Sequence, residues 1–463
     1  MKHIVIINFT GDRGNWGCQA TSYEFLRFGA GLFDANEELR FSAVPLLGTT
    51  RTDVDADSQI DRVYDSFEAV GAQATDAQTA LEFLTDIAKE RYAKYVDVIK
   101  SADLILFQAE GSMGMGADFT RGPRLMLLPF VAKHAWGRRV VALNQTFYSH
   151  DPKVLKNAVT AFSSFDFYAF RESASVAFAK SVGLTKACLV PDLAFMSGAN
   201  LAQTSSVQDK DCFSVTGSAL KDPQRYDRIV EQTKRIARET GLKPIVAVSR
   251  DYQLSLASYT KLSGLGTKRV PRKRSYQEVT KLLSQTAFLL GGRYHMSIMA
   301  AAGMTANVLL TGNSFKNEGL AHLLGSERPV RSFDDTDGVV EDAVYYFENQ
   351  TKEQERVATN LSVLRGIIAR AQSHIRSILQ GEDPGLFEDG FVPMEIDSQA
   401  ILDRYRQYGS GKPKTRSALQ LAGTALGERW ATGDVTQDIY ETLKDFGRQG
   451  DADFEKLVHR LSN

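Results

Sequence analysis

Ala287-Phe288-Leu289-Leu290-Gly291-Gly292-Arg293-Tyr294-His295-Met296-Ser297-Ile298-Met299-Ala300-Ala301-Ala302 reads as strand, turn and helix. The run from Ala287 to Leu290 is apolar on every residue and ends in glycine, the pattern of a strand covered on both faces. Met296 to Ala302 is an apolar helix stopped by Gly303. A strand passing through a tight turn into a helix is the repeating unit of a parallel sheet. Side chains in that turn stand at the carboxyl end of the strand, where open α/β sheets hold ligands. Arg293 and His295 are therefore aimed at a crevice. A helix start beside them favours anions.

The same alternation extends in both directions. Toward the N-terminus, strands are expected at 4–8, 41–47, 103–107, 139–144, 166–170 and 187–190. Helices are expected at 18–32, 77–100, 125–136 and 152–163, and from Glu172 to near Gly183. Residues 48–76 are polar and acidic and read as a surface excursion. Residues 197–210 have linker composition, after which the pattern restarts. Strands at 212–216, 244–249, 286–290 and 306–310 alternate with helices at 223–240, 275–284, 295–302 and 316–324. The organisation predicted is an α/β unit over 1–200, a second over 211–335 and a helical extension over 336–463. In the last part, Leu361, Leu364, Ile368, Ala371, Ile375 and Ile378 form one helical stripe. Val435, Ile439, Leu443 and Phe446 form another, and Phe454, Leu457, Val458 and Leu461 a third. Such stripes pack cores or oligomer contacts.

Composition narrows the function. The 463 residues carry 55 basic and 56 acidic side chains, a net charge of −1. That balance argues against broad nucleic-acid binding, which needs a basic surface. Cys18, Cys188 and Cys212 make no zinc spacing and suit a reducing compartment. The apolar start, Ile4 to Ile7, is too short for a signal peptide, and no run reaches the ~20 residues of a membrane span. The expectation is a cytoplasmic protein, with room for peripheral contact at the inner face of the membrane and for homo-oligomer contacts. Asp53, Asp55 and Asp57 imitate a calcium loop, but Ser58 and Tyr64 occupy positions that need Gly and Glu. No metal site is expected.

Several strand ends carry reactive or polar groups. Arg293 supplies a planar bidentate cation and His295 a group that changes charge near neutrality. Arg171 ends the strand at 166–170, with Glu172 and Ser173 opening a helix. Lys316 lies in the first turn of a helix, against its dipole, which a nearby anion would explain. Glu110 follows the strand at 103–107 in Ala-Glu-Gly-Ser-Met-Gly-Met-Gly, where it suits a sugar hydroxyl or a proton. Asp12, Asn15 and Trp16, after the first strand, are of the types that contact sugars. Neither a G-x-G-x-x-G fingerprint nor a Walker A sequence is present.

Taken in order, these segments resemble the polysaccharide pyruvyl transferase family. They are Gly14-Asn15-Trp16-Gly17-Cys18-Gln19-Ala20, then Ala102 to Ser112, then Phe167 to Ser175. Val190-Pro191-Asp192-Leu193-Ala194-Phe195, Gly291 to Ile298 and Ser314 to Leu320 complete the set. The resemblance covers about residues 1–330. It implies two Rossmann-like domains in a GT-B-like arrangement and transfer of a pyruvyl group from phosphoenolpyruvate to a saccharide as a ketal. Phosphoenolpyruvate is then a donor substrate, with no separate cofactor, and the acceptor is a saccharide or lipid-linked oligosaccharide of a cell-surface polysaccharide (exopolysaccharide) pathway. On the family pattern Arg171, Arg293 and Lys316 surround the donor anion and His295 is the acid–base residue. The sequence departs from the family at Gln108-Ala109-Glu110-Gly111-Ser112, where a glycine run is common. Two competing readings share these residues: a GT-B-like glycosyltransferase using a nucleotide sugar, and a non-catalytic saccharide-binding or assembly protein.

Overall fold

The computed structural model describes residues 1–11, 14–44, 60–111, 113, 121–149, 151–198, 210–217, 223–249, 254 and 256–391. Two five-stranded parallel sheets organise it. The first runs β2-β1-β3-β4-β5, with β1 Lys2–Ile7, β2 Leu39–Val44, β3 Leu104–Phe107, β4 Arg139–Gln145 and β5 Phe167–Phe170. The second runs β10-β9-β6-β7-β8, with β6 Cys212–Val215, β7 Lys243–Val246, β8 Lys268–Arg269, β9 Phe288–Gly291 and β10 Ala306–Leu309. The strand order reverses direction between β1 and β3 in one sheet and between β6 and β9 in the other. These two switch points open crevices at the carboxyl ends of the strands. Glu110 follows β3, and Arg293 follows β9.

The strands hold because both faces are covered. Ile4 to Ile7 and Leu104 to Phe107 are all at most 1% exposed. Continuous burial, and not alternation, is what their sequences specify. The two lobes also meet directly. The helix Trp16–Ala30 packs on the helices Tyr276–Ser284 and Tyr294–Ala302, and the rings of Tyr23 and Tyr276 stack across that contact. The helix Gln350–Gln380 straps the lobes together. Arg365 donates to the carbonyls of Phe195 and Ala302, and Gln372 to that of Phe28. Leu361, Leu364, Ile368, Ala371 and Ile375 are its buried stripe. The helix Thr336–Glu348 lies on the second sheet. The stripes at 435–461 and the acidic loop at Asp53 lie outside the described residues.

Some elements differ from the sequence reading. The polar stretch before residue 77 contains a helix, Ile60–Gly71, whose Val63, Phe67 and Val70 are buried. Three apolar residues spaced four and three apart suffice for a docking face even where the mean composition is polar. The expected helix at 77–100 breaks at Tyr92, which has φ −118°, into Ala77–Arg91, a 3₁₀ turn and Val96–Lys100. The expected strand at 187–190 is reduced to one bridge, Phe170 to Leu189. The edge strand β8 and the helix Leu256–Leu262 were not anticipated.

Candidate active site

Arg171 extends from the end of β5 and is 1% exposed. Its Nε donates to Thr146 Oγ1 (3.0 Å) and its Nη1 to Asp192 Oδ2 (2.9 Å). The same Nη1 lies 3.2 Å from His295 Nε2. Its guanidinium carbon sits 4.6 Å from the Tyr294 ring centroid. Burial alone lowers the affinity of such a group for its proton, but Tyr294, Asp192 and Glu110 outweigh it and the pKa is raised. Arg171 is a fixed cation.

Asp192 is what fixes it. Its carboxylate is fully buried and accepts from Arg171 and, through Oδ1, from Thr21 Oγ1 (2.9 Å) and Ala194 N (3.0 Å). Oδ2 is also 3.3 Å from His295 Nε2. Burial raises its pKa, yet His295 and then Arg171 hold it well below the usual carboxylate range. Sequence reading quoted Asp192 only as part of a motif. Its position in Val190-Pro191-Asp192-Leu193, just past a strand-like run at the crevice side, was the available signal.

From the second lobe, Arg293 is the N-cap residue of the helix Tyr294–Ala302, and its side chain does not cap that helix. Lys316 opens the helix Lys316–Leu323 and donates to Asn313 Oδ1 (2.6 Å). Its Nζ lies 5.9 Å from the centroid of the Tyr294 ring, which Arg171 also approaches. Burial, then Arg171 and Arg293, push Lys316 down to about 7, with Glu110 and Glu172 partly opposing. An amine whose pKa is lowered first by burial and then by neighbouring cations is suited to a ligand that brings negative charge. Gly111 forms its floor: a Cβ there would meet Arg171 Nη2 at 3.6 Å and Lys316 Nζ at 3.7 Å. The hydroxyl of Tyr294 is buried without a hydrogen-bond partner.

The structure therefore brings together Arg171, His295, Lys316 and Glu110, with Arg293 beside Lys316. Glu110 accepts a hydrogen bond from Thr10 Oγ1. Asn15 caps the helix Trp16–Ala30, accepting from Gly17 N (3.1 Å). Trp16 requires a correction. It is 1% exposed and donates its indole N–H to Arg274 O (2.9 Å). Its ring is sealed in the contact between the lobes, so it offers no face to a sugar. Asp12 lies outside the described residues. Glu172, also buried, caps the helix Ser173–Ser181 through Ser175 N (3.0 Å), and burial pushes it up to about 7. Among the described residues no group of three His, Cys, Asp or Glu could hold a metal ion, and no helix is long and apolar enough to cross a membrane.

Two sheets facing one crevice, with cations contributed from both, define an α/β architecture of GT-B type. The fold is similar to a putative UDP-N-acetylglucosamine 2-epimerase of Listeria monocytogenes (TM-score 0.53, 10% identity, 84% of this chain and 100% of that one). It is also similar to S. aureus MnaA, solved with UDP (TM-score 0.50, 11% identity, 84% and 100%). At such identities the likeness concerns the fold alone. No curated protein matches the chain. A family profile, polysaccharide pyruvyl transferase, matches residues 55–304, more than half of the 463. The chain belongs to the polysaccharide pyruvyl transferase family. Glu110, Arg171, Asp192, Arg293 and His295 fall inside the matched span; Asn15, Trp16 and Lys316 fall outside it.

Proposed function

We propose that the protein transfers the pyruvyl group of phosphoenolpyruvate to a pair of saccharide hydroxyls, forming a ketal in the assembly of a cell-surface polysaccharide. The observation that carries this reading is the convergence of Arg171 and Lys316 at Gly111, beside an imidazole, with Arg293 close enough to act on Lys316. A small donor with both a carboxylate and a phosphate needs at least two cations. Such a donor would also offset the depression of the Lys316 pKa by burial and neighbouring cations, because its negative charge favours the charged amine.

Arg171 and Lys316 hold the donor's anionic groups, and Arg293 at the helix head faces the charge that develops as phosphate departs. Protonation of the methylene carbon makes C2 an oxocarbenium-like electrophile. One sugar hydroxyl adds to C2, phosphate leaves, and a second hydroxyl closes the ring. Of the two hydroxyl protons, one ends on the new methyl group and the other on phosphate. The acceptor is a saccharide, free or carried on a lipid.

Incubation with phosphoenolpyruvate and a panel of saccharides, following phosphate release and the mass of the sugar product, tests the proposal. Equal release of phosphate and pyruvylated sugar is expected. Because the S. aureus neighbour was solved with UDP, a nucleotide-sugar donor is the second reading. It predicts that UDP, and not phosphoenolpyruvate, raises the Tm. That result would overturn the first reading.

A further inference from the structure

Three non-glycine residues at the carboxyl ends of adjacent strands of the first sheet have left-handed backbones: Asn8 (φ 66°), Glu110 (φ 49°) and Asn144 (φ 61°). Asn tolerates this conformation through local hydrogen bonds. Here Asn8 donates to Gln108 O (2.7 Å) and Asn144 to Gln108 Oε1 (3.4 Å). Glutamate has no such compensation, and the conformation costs it about 1–2 kcal/mol. The strain sits at the switch point of the sheet, next to Gly111, on the floor of the cationic pocket. Strain of this kind persists where a side chain must be aimed.

Given pyruvyl transfer, on which this rests, we infer that Glu110 is the base that takes the proton of the attacking sugar hydroxyl, while His295 is the acid that protonates the donor's methylene carbon. Arg171 Nη1 meets His295 and Asp192, and the Glu110 carboxylate is among the charges that act on both Arg171 and Lys316. A Cβ on Gly111, the residue after Glu110, would stand 3.6 Å from Arg171 Nη2 and 3.7 Å from Lys316 Nζ. Acid and base thus belong to one cluster around the same two cations. Glu110 is unsuited to holding the donor, since a carboxylate repels a dianion. It is suited to a neutral hydroxyl, and Thr10 Oγ1 steadies its Oε1.

The groups facing the imidazole set its part. The Asp192 carboxylate, from the Pro191 turn, lies 3.3 Å from Nε2 and attracts a positive charge there, whereas the Arg171 guanidinium, from the end of β5, lies 3.2 Å from the same atom and repels one. Arg293 and Tyr294 precede it at the head of its own helix, and Lys316 Nζ is 5.9 Å from the Tyr294 ring centroid. The helix Trp16–Ala30 faces it with uncharged Gly17. A bound donor neutralises Arg171 and leaves the Asp192 carboxylate as counter-charge to the imidazolium. The cycle then closes. His295 gives its proton to carbon and Glu110 receives one from the first hydroxyl. Glu110 passes that proton to the departing phosphate, and neutral His295 takes one from the second hydroxyl. Both groups return to their starting states.

The test compares Glu110→Gln, Glu110→Asp and Asp192→Asn with the parent protein for phosphoenolpyruvate Kd, kcat across pH, and Tm. Glu110→Gln is expected to bind phosphoenolpyruvate as tightly as the parent or more so, since a repelling charge is gone. Its kcat should fall by about 10²–10⁴-fold. The fall in rate on the acid side of the profile should vanish, and Glu110→Asp should recover part of the rate. Asp192→Asn, which removes the carboxylate partner shared by Arg171 and His295, should lower kcat. Parental kcat in Glu110→Gln, or weaker donor binding with the acid-side fall intact, overturns the assignment while pyruvyl transfer stands. Parent protein that neither binds phosphoenolpyruvate nor releases phosphate overturns both.

Discussion

Substituting Gly17 by alanine tests whether the imidazole works from where the lobe contact places it. Gly17 lies in the first turn of the helix Trp16–Ala30, directly against His295 in the first turn of the helix Tyr294–Ala302. A Cβ at Gly17 would stand 2.4 Å from His295 Cβ, 2.9 Å from Cγ and 3.0 Å from Nδ1. Carbon atoms in ordinary contact are about 3.5–4.0 Å apart, so relieving the 2.4 Å contact requires the two helices to part by about 1 Å. Neither side yields easily. His295 Cβ is tied to its backbone, and Trp16 is held by its bond to Arg274 O. Overpacking of this kind costs about 1–3 kcal/mol, partly offset by the higher helix propensity of alanine. The larger effect is on rate, since a misplacement of about 1 Å can cost about 10²-fold. Steady-state ketal formation by Gly17→Ala should show that loss in kcat. Phosphoenolpyruvate Kd should change less than kcat, because Arg171 and Lys316 are held from other elements, by Asp192 and Asn313. Parental kcat, whatever the Tm, refutes the claim that turnover depends on this placement of His295.

Further outcomes follow from the same geometry. Lys316, pushed down to about 7 by burial, Arg171 and Arg293, should gain protons when a dianion binds, because a nearby negative charge favours the charged amine. Calorimetry at pH near 8 in buffers of different ionisation enthalpy should show net proton uptake with phosphoenolpyruvate, abolished in Lys316→Met. Trp16→Phe removes the indole N–H that Arg274 O accepts, at a cost of about 0.5–1.5 kcal/mol readable as a lower urea midpoint. It should leave acceptor KM unchanged, since the ring contacts no solvent-facing surface. Glu172 is raised to about 7 by burial, above an unfolded value of about 4.3. Its contribution is fully present below the unfolded value and is lost as pH rises through about 7. Glu172→Gln should therefore flatten the decline in stability across that window, measured by denaturant unfolding at several pH values.

The strand–turn–helix repeats were legible because a strand buried on both faces must be apolar throughout, and few other structures demand that. Gly291 to His295 could be placed at a crevice for the same reason, since parallel strands present their carboxyl ends to one side. The helix Ile60–Gly71 was not legible, because its few apolar residues were outnumbered by polar ones and only their spacing carried the signal. Asp192 escaped because a buried carboxylate declares its role through its partners. Those partners, Thr21, Arg171 and His295, are 171, 21 and 103 positions away in the chain.

What the amino-acid sequence determined by itself was local: which runs are strands and helices, which turns carry cations, and the family those turns belong to. What the tertiary structure decided was who meets whom. It put Arg171 against His295, sealed Trp16 between the lobes instead of offering it to a sugar, and set Gly111 as the floor beneath two cations. Local propensity acts over a few residues and is written in their order. Side-chain encounters across a hundred residues depend on how two sheets and a strapping helix pack, and only the packed chain holds that information.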